Sequence, residues 1–267
     1  MASKLVLVTG ASSGIGEATA KLYGRAGAHV LLLARNAERL YGVAHAIREA
    51  GGTATAFPID LGGSEATKEV AARIEGEIGT PDLLINNAGA GRWLKLADTS
   101  PEDARAMIDV PYLAAFNLTR AFVPAMIARA SGGIVFITSP ASYLAWPNAS
   151  AYIAARRALA GFAEALQSEL KPTGVAVTLV VLGTVETPYF EHNPGSRQNM
   201  PAADPRLVPT LTPEQAAQAI FDGAEQKRSF VIKPAIYRAL LVMNALFPKT
   251  VASQLRRAVK KARAAQG

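Results

Sequence analysis

Thr9-Gly10-Ala11-Ser12-Ser13-Gly14-Ile15-Gly16 follows the apolar run Leu5-Val6-Leu7-Val8 and leads into a stretch with helical spacing. A buried strand that turns on glycines into a helix is the phosphate-binding unit of open α/β sheets. Glycines let the backbone turn sharply and approach a pyrophosphate, which the helix N-terminus and its free N–H groups then meet. The spacing here is T-G-x-x-x-G-x-G rather than G-x-G-x-x-G. A glycine-rich turn alone is weak evidence, so its meaning depends on the chain around it.

Outward from that turn, β-branched or Leu-rich runs near 4–9, 29–34, 53–58, 82–86, 133–138, 174–181 and 229–232 predict seven strands. Helical stretches near 14–26, 37–50, 64–79, 101–130, 150–171 and 213–226 separate them, and Ser100-Pro101-Glu102-Asp103 is a strong helix start. Strict alternation of this kind predicts an α/β, doubly wound, mainly parallel sheet with helices on both faces. Residues 1–233 read as one domain that includes a lid or substrate loop over 183–213, and residues 234–267 read as a C-terminal extension. The 267 residues, 50% hydrophobic and 18% charged, are ample for such a core and exclude a disordered or small stapled chain.

Cysteine is absent, which excludes disulfides, thiolate metal sites and cysteine nucleophiles. Only four apolar residues follow Lys4 before Thr9-Gly10, far short of the ~20 of a membrane span, so a cytoplasmic protein is expected. The net charge of +7 is unevenly placed: 10 Lys and Arg and no acid follow Glu225, while the preceding residues hold 18 basic and 21 acidic groups. The body is mildly acidic and the tail basic, so the charge is no general nucleic-acid signal.

Further motifs stand at the strand ends: Asp60-Leu61 after the third, Asn86-Asn87-Ala88-Gly89 after the fourth, Ser139 after the fifth, and Tyr152 thirteen residues later. In this order the set resembles the short-chain dehydrogenase/reductase family over nearly the whole chain. Gly183-Thr184-Val185-Glu186-Thr187 is similar to that family's P-G-x-V-x-T segment, with Leu182 where proline is usual. The resemblance implies a seven-stranded Rossmann fold binding a nicotinamide cofactor. It assigns cofactor contacts to Gly10, Ser12, Ser13, Gly14, Ile15, Gly16, Asp60, Leu61, Asn87, Ala88, Gly89, Val110, Tyr152, Arg156, Val185 and Thr187. At the end of the second strand, Leu33-Ala34-Arg35-Asn36 offers no carboxylate for ribose hydroxyls and places Arg35 where it pairs a 2′-phosphate, which favours NADP(H).

The resemblance also implies a tyrosine general acid, a serine that hydrogen-bonds the substrate oxygen, a lysine that holds the ribose, and an asparagine in a proton relay. Ser139 and Tyr152 match, but Arg156 stands in the Lys position and Pro111, after Asp109-Val110, in the Asn position. A free phenol titrates near ~10, so the family's tyrosine needs a neighbouring cation. Guanidinium keeps that charge and gains donors, but it surrenders no proton, and proline has no amide to relay one. The catalytic set is therefore Ser139, Tyr152 and Arg156.

Trp93, Tyr143, Leu144, Trp146, Tyr189 and Phe190, with Arg92 and His192, are expected at the nicotinamide mouth, where apolar walls suit a lipophilic carbonyl or alcohol. No metal-ligand spacing occurs. After Pro248, Val251, Leu255, Val259 and Ala262 share one helical face, with Arg256, Arg257, Lys260, Lys261 and Arg263 around the rest. This basic amphipathic helix has two readings: contact with an anionic membrane or an acidic partner, or packing on the body or a second subunit with its charges solvated. The expected function is NADP(H)-dependent hydride transfer to or from a lipophilic carbonyl, in a homodimer or homotetramer. The alternative is a catalytically impaired cofactor-binding sensor on the same fold.

Overall fold

A computed structural model describes residues 3–89, 91–200 and 207–264, the side chains at 190, 192, 197, 198 and 261–264 excepted. Leu5–Thr9 (β1) runs through the glycine turn into Gly14–Arg25 (α1). His29–Ala34 (β2), Ala37–Glu49 (α2), Thr53–Pro58 (β3), Ser64–Glu77 (α3) and Leu83–Asn86 (β4) complete the first half. The second half comprises Pro101–Ile108 (α4), Ala114–Ala128 (α5), Gly132–Thr138 (β5), Ser150–Leu170 (α6) and Val175–Leu182 (β6). After it come the short Tyr189–His192 (α7) and Ser196–Asn199 (α8), then Pro213–Glu225 (α9), Phe230–Lys233 (β7), Ile236–Leu246 (α10) and Pro248–Ala264 (α11).

The strands form one sheet in the order β3-β2-β1-β4-β5-β6-β7, every pair parallel. Strand alternation divides the core in two. Leu7, Leu31, Leu84, Ile134 and Phe136 point to the face covered by α3, α5 and α6, against Val70, Leu118, Phe122 and Leu159. Val6, Val8, Leu32, Ile85 and Val135 point to the other, against Ala20, Tyr23, Leu40, Ile47 and Ile220 of α1, α2 and α9. Burial on both faces is why these strands read as continuous apolar runs.

The single helix expected over 101–130 is two helices. Ser100 caps α4 by accepting the Asp103 N–H at 3.0 Å, but α4 ends at Ile108, and a wide π turn, Asp109–Leu113, precedes α5. Pro111 lies buried in that turn. It has no N–H to continue the ladder and its ring collides with the preceding turn, so the backbone widens there by one residue.

For the tail, the structure decides between the two readings in favour of packing on the body. Val251, Leu255 and Val259 of α11 are buried, and the first two join the apolar cluster on the α5–α6 side of the sheet. That face is occupied by the chain's own core and cannot lie on a lipid surface; Arg256, Arg257 and Lys260 point outward. The side chains of Lys261, Ala262 and Arg263 are outside the described residues. Val251→Asp is expected to lower the unfolding free energy by about 3 kcal/mol, because it buries an unpaired carboxylate, whereas Lys260→Ala shifts it by no more than ~0.5 kcal/mol. Urea unfolding of both variants measures this; matching midpoints would mean that α11 is not docked.

Candidate active site

The order of strands reverses between β1 and β4, which opens a crevice at their carboxyl ends, the usual ligand position in open α/β sheets. The glycine turn lies on one side of it and Asn87-Ala88-Gly89 on the other. Thr9 joins the two: its Oγ1 accepts the N–H groups of Asn87 and Ala88, each at 2.9 Å, and donates to the Ile85 carbonyl at 3.3 Å. The Asn87 amide returns the link, donating to the Thr9 carbonyl at 2.9 Å. Gly16 must be glycine because a Cβ would stand 2.1 Å from the Gly10 carbonyl oxygen.

Ser12, Ser13 and Gly14 border a cleft of about 570 Å³ together with Lys21, Arg39, Glu186 and Pro188. Ile15 is half-buried at the start of α1. Thr187 is in contact with this turn, its methyl 2.8 Å from where a Gly14 Cβ would be. Val185 is held by a bridge to Leu211. Arg35 is exposed beyond β2, and Arg39, one helical turn on, borders the cleft itself. Neither is in an ion pair among the described residues. Arg39 was not foreseen; the Arg-x3-Arg spacing from Arg35 was its only signal. Asp60 turns its Oδ1 back to the Gly62 N–H at 3.0 Å, and the Leu61 side chain belongs to the core. Val110, in the π turn, approaches Gly62 from the far side.

Ser139 ends β5, and its Oγ accepts the Ala141 N–H at 3.1 Å. One oxygen lone pair is thereby engaged while the hydroxyl proton stays available to a donor bond. Ser142, unremarked in the sequence, fixes α6 relative to this strand end: its Oγ meets Thr138 Oγ1 at 2.6 Å and donates to the Arg156 carbonyl at 2.9 Å. Tyr152 in the first turn of α6 is buried against Ala141 and Trp93. Its ring centroid is 5.6 Å from that of Trp93, which in turn is 6.0 Å from that of Trp146.

Arg156, one turn on, is 8% exposed, and its guanidinium carbon lies 5.1 Å from the Tyr152 ring centroid, a cation–π distance. Its Nε is buried and has no hydrogen-bond partner among the described residues. The guanidinium lies so close to Gly89 that a Cβ there would be 2.7 Å from Nη2. The bulkier cation is thus housed by the glycine that ends the Asn-Asn-Ala-Gly run.

The expected aromatic mouth is only partly found. Leu144 is fully buried core, and Tyr143 packs on Phe230 and donates to Glu164 at 2.5 Å, so both are packing residues. Arg92 is equally unavailable to a substrate: Nη1 donates to both oxygens of Asp103 at 3.1 Å, and Nε and Nη2 donate to the Pro194 carbonyl at 3.2 and 3.1 Å. It clamps the loop between β6 and α9 onto α4. Three more bonds close that clamp. Gly91 N–H donates to Asn193 Oδ1, Trp93 N–H donates to buried Ser196 Oγ, and the Tyr189 hydroxyl donates to the Gly91 carbonyl. Burial pushes the Tyr189 phenol well up from its usual range, neighbouring Tyr152 adds to this, and Arg156 opposes it, so Tyr189 remains a neutral donor. The side chains of Phe190 and His192 are outside the described residues.

Comparison with known proteins agrees with this geometry. Uncharacterised oxidoreductases of Mycobacterium bovis and Mycobacterium tuberculosis are 39% identical over 225 residues, a span that is 82% of this chain and 63% of theirs. The chain thus spans less than two thirds of the length of those relatives. A fatty acyl-CoA reductase of Acinetobacter baylyi is 36% identical over 219 residues, 81% of this chain and 71% of that protein. Among solved structures, a short-chain dehydrogenase from Sphingobium yanoikuyae in complex with NADPH superposes with a TM-score of 0.80 at 25% identity, covering 96% of this chain and 97% of that one. A metagenomic short-chain oxidoreductase in complex with NADP gives 0.72 at 33% identity, covering 86% and 96%. The short chain dehydrogenase family itself is matched from residue 4 to residue 197, through the glycine turn, Ser139 and Tyr152, and to that family of oxidoreductases this chain belongs.

Proposed function

We propose that the protein transfers hydride between NADP(H) and a lipophilic carbonyl or the corresponding secondary alcohol. One observation carries this reading: Tyr152 and Arg156 are buried as a pair, with Tyr152 against Ala141 two residues after Ser139, and the arginine Nε is buried with no partner among the described residues. An unsatisfied donor of a buried cation is costly, and ribose hydroxyls at that position would satisfy it. A second observation supports the cofactor: Ser12, Ser13 and Gly14, at the N-terminus of α1 with its free N–H groups, border a cleft of about 570 Å³ whose charged lining is Lys21 and Arg39 with Glu17, Glu186 and Glu214.

In this reading Gly10, Ser12, Ser13, Gly14, Ile15 and Gly16 hold the pyrophosphate, and Arg35, with Arg39 beside it, pairs the 2′-phosphate. Asp60, Leu61 and Val110 border the adenine side, and Asn87, Ala88, Gly89, Val185 and Thr187 the nicotinamide side. The bound cofactor supplies or accepts the hydride at the substrate carbon. Ser139 donates its free hydroxyl proton in a hydrogen bond to the substrate oxygen, and Tyr152 exchanges the proton with it. Arg156 holds the ribose and keeps a fixed positive charge against the Tyr152 ring. Pro111 contributes no amide, so any onward relay of the proton bypasses that position. The lipophilic substrate is supported by the buried Trp93, the half-buried Trp146 and Met200 packed around Tyr152, and by the relative that is a fatty acyl-CoA reductase. Two- or fourfold assembly through α5 and α6 is supported by Ile127 near the end of α5 and Leu113 in the turn just before it, both exposed.

Two experiments test the reading. Arg35→Ala should lower the preference for NADPH over NADH by about tenfold or more, the equivalent of one charge-assisted contact, in cofactor titrations; an unchanged ratio would remove the NADP(H) assignment. In a turnover assay across lipophilic aldehydes, ketones and alcohols, Tyr152→Phe should cost ~10²–10⁴-fold in kcat while NADPH binding persists. Arg156→Lys, which restores a group able to pass a proton, should raise kcat. Cofactor binding without turnover by either the parent or Arg156→Lys would instead make the protein a cofactor-binding sensor.

A further inference from the structure

Five of the ten large apolar side chains exposed among the described residues fall within twelve residues of the tail. They are Ile236, Val242, Met243, Leu246 and Phe247, the last three 43%, 67% and 59% exposed. On α10 they follow helical spacing along one side, while Tyr237, Leu240 and Leu241 on the other side pack into the core. An apolar strip of this size on a helix face is normally covered, so the outer side of α10 lacks a cover among the described residues.

The charges around it say what kind of cover fits. Arg238 lies one turn before Val242, Lys249 follows Phe247 and Pro248, and Arg256, Arg257 and Lys260 project from α11, whose apolar face is docked beneath. None of these is in an ion pair among the described residues, and no acidic residue follows Glu225 anywhere in the sequence. An isologous contact between two copies would set this cationic rim against itself. An apolar strip edged by cations is what an anionic bilayer surface accepts, with side chains in the acyl boundary and the rim among the headgroups. Eleven residues of helix reach about 16 Å, well under the ~30 Å hydrocarbon thickness, so α10 would lie in the interface rather than cross it.

We propose that the outer side of α10, with the cations of α10 and α11, docks the protein peripherally on anionic lipid membranes. The contact is linked to the active site. Asn244, on the inner side of α10, donates to the Tyr143 carbonyl at 3.2 Å, in the segment that joins Ser139 to Trp146. A docked α10 therefore holds the segment between Ser139 and Trp146 close to the bilayer, from which, on the proposed function, the lipophilic substrate is drawn. The docking itself stands on the patch and does not require the proposed reaction.

Vesicle co-sedimentation of the full chain, with phosphatidylcholine alone and with phosphatidylcholine plus phosphatidylglycerol, tests it. The full chain should pellet with the anionic vesicles and stay in solution with the neutral ones. Val242→Glu combined with Leu246→Glu should lower the partition coefficient by about tenfold or more, since it removes two inserting side chains. Lys249→Glu with Arg256→Glu should do the same. All these positions are exposed, so unaltered NADPH binding and thermal unfolding will show that the variants fold. Failure to pellet with either vesicle overturns the proposal, as does pelleting that Val242→Glu/Leu246→Glu leaves undiminished. So does sedimentation velocity showing that this double variant dissociates an oligomer, which would make the cover a second copy.

Discussion

The Thr9 hydroxyl accepts two backbone N–H groups, from Asn87 and Ala88, at the point where the order of strands reverses. A loop leaving a buried strand must satisfy its N–H groups without a neighbouring strand, and a threonine oxygen does this in almost no space. With β4 tied to β1 in this way, Gly10 and Gly16 can close to a distance at which no side chain would fit. The crevice exists because both ties hold. Every other feature of the site is placed relative to it: Gly89 continues from the same segment and receives Arg156, and Thr187 rests on Gly14 from across the opening.

The arginine at position 156 shows how a substitution is accommodated locally and felt chemically. Ser142 holds its backbone carbonyl, Gly89 gives its guanidinium room, and the Tyr152 ring lies within cation–π distance. The group is buried, and only its Nε lacks a hydrogen-bond partner among the described residues. A guanidinium offers donors but no readily exchanged proton, and Pro111 in the widened turn of the neighbouring helix offers no side-chain amide, so neither position supplies a group suited to relaying one.

The loop between β6 and α9 is held down by Arg92, a residue the sequence placed at the pocket mouth, together with Asn193 and Ser196. Arg92 bonds the Pro194 carbonyl and Asp103 of α4, while Asn193 and Ser196 accept the Gly91 and Trp93 N–H groups. The result is a mostly apolar wall of Trp93, Trp146 and Tyr189 around Tyr152, with the buried polar groups of Asn193 and Ser196 spent on holding the loop. The tail follows a similar division: α11 gives its apolar face to the core and its charges to solvent, and α10 is left with apolar residues on the outside.

The sequence by itself determined the seven strands, most helices and the crevice, because runs buried on both faces and glycine-rich turns are local signals that neighbouring residues carry unaided. Its spacing put Ser139 just after a strand and Tyr152 and Arg156 one turn apart on a helix, which is where the fold has them, because strand end and first helical turns are set by one chain segment. It misjudged the helix over 101–130, where one proline changed the hydrogen-bond ladder, and it misjudged Tyr143, Leu144 and Arg92. Tertiary structure alone decided those. Whether an aromatic lines a pocket or packs under it, and whether an arginine is free or clamped, depends on partners such as Phe230 or Pro194 that lie far along the chain. The same holds for the tail: composition showed apolar and basic residues there, but only packing determined that α11 is covered and α10 is not.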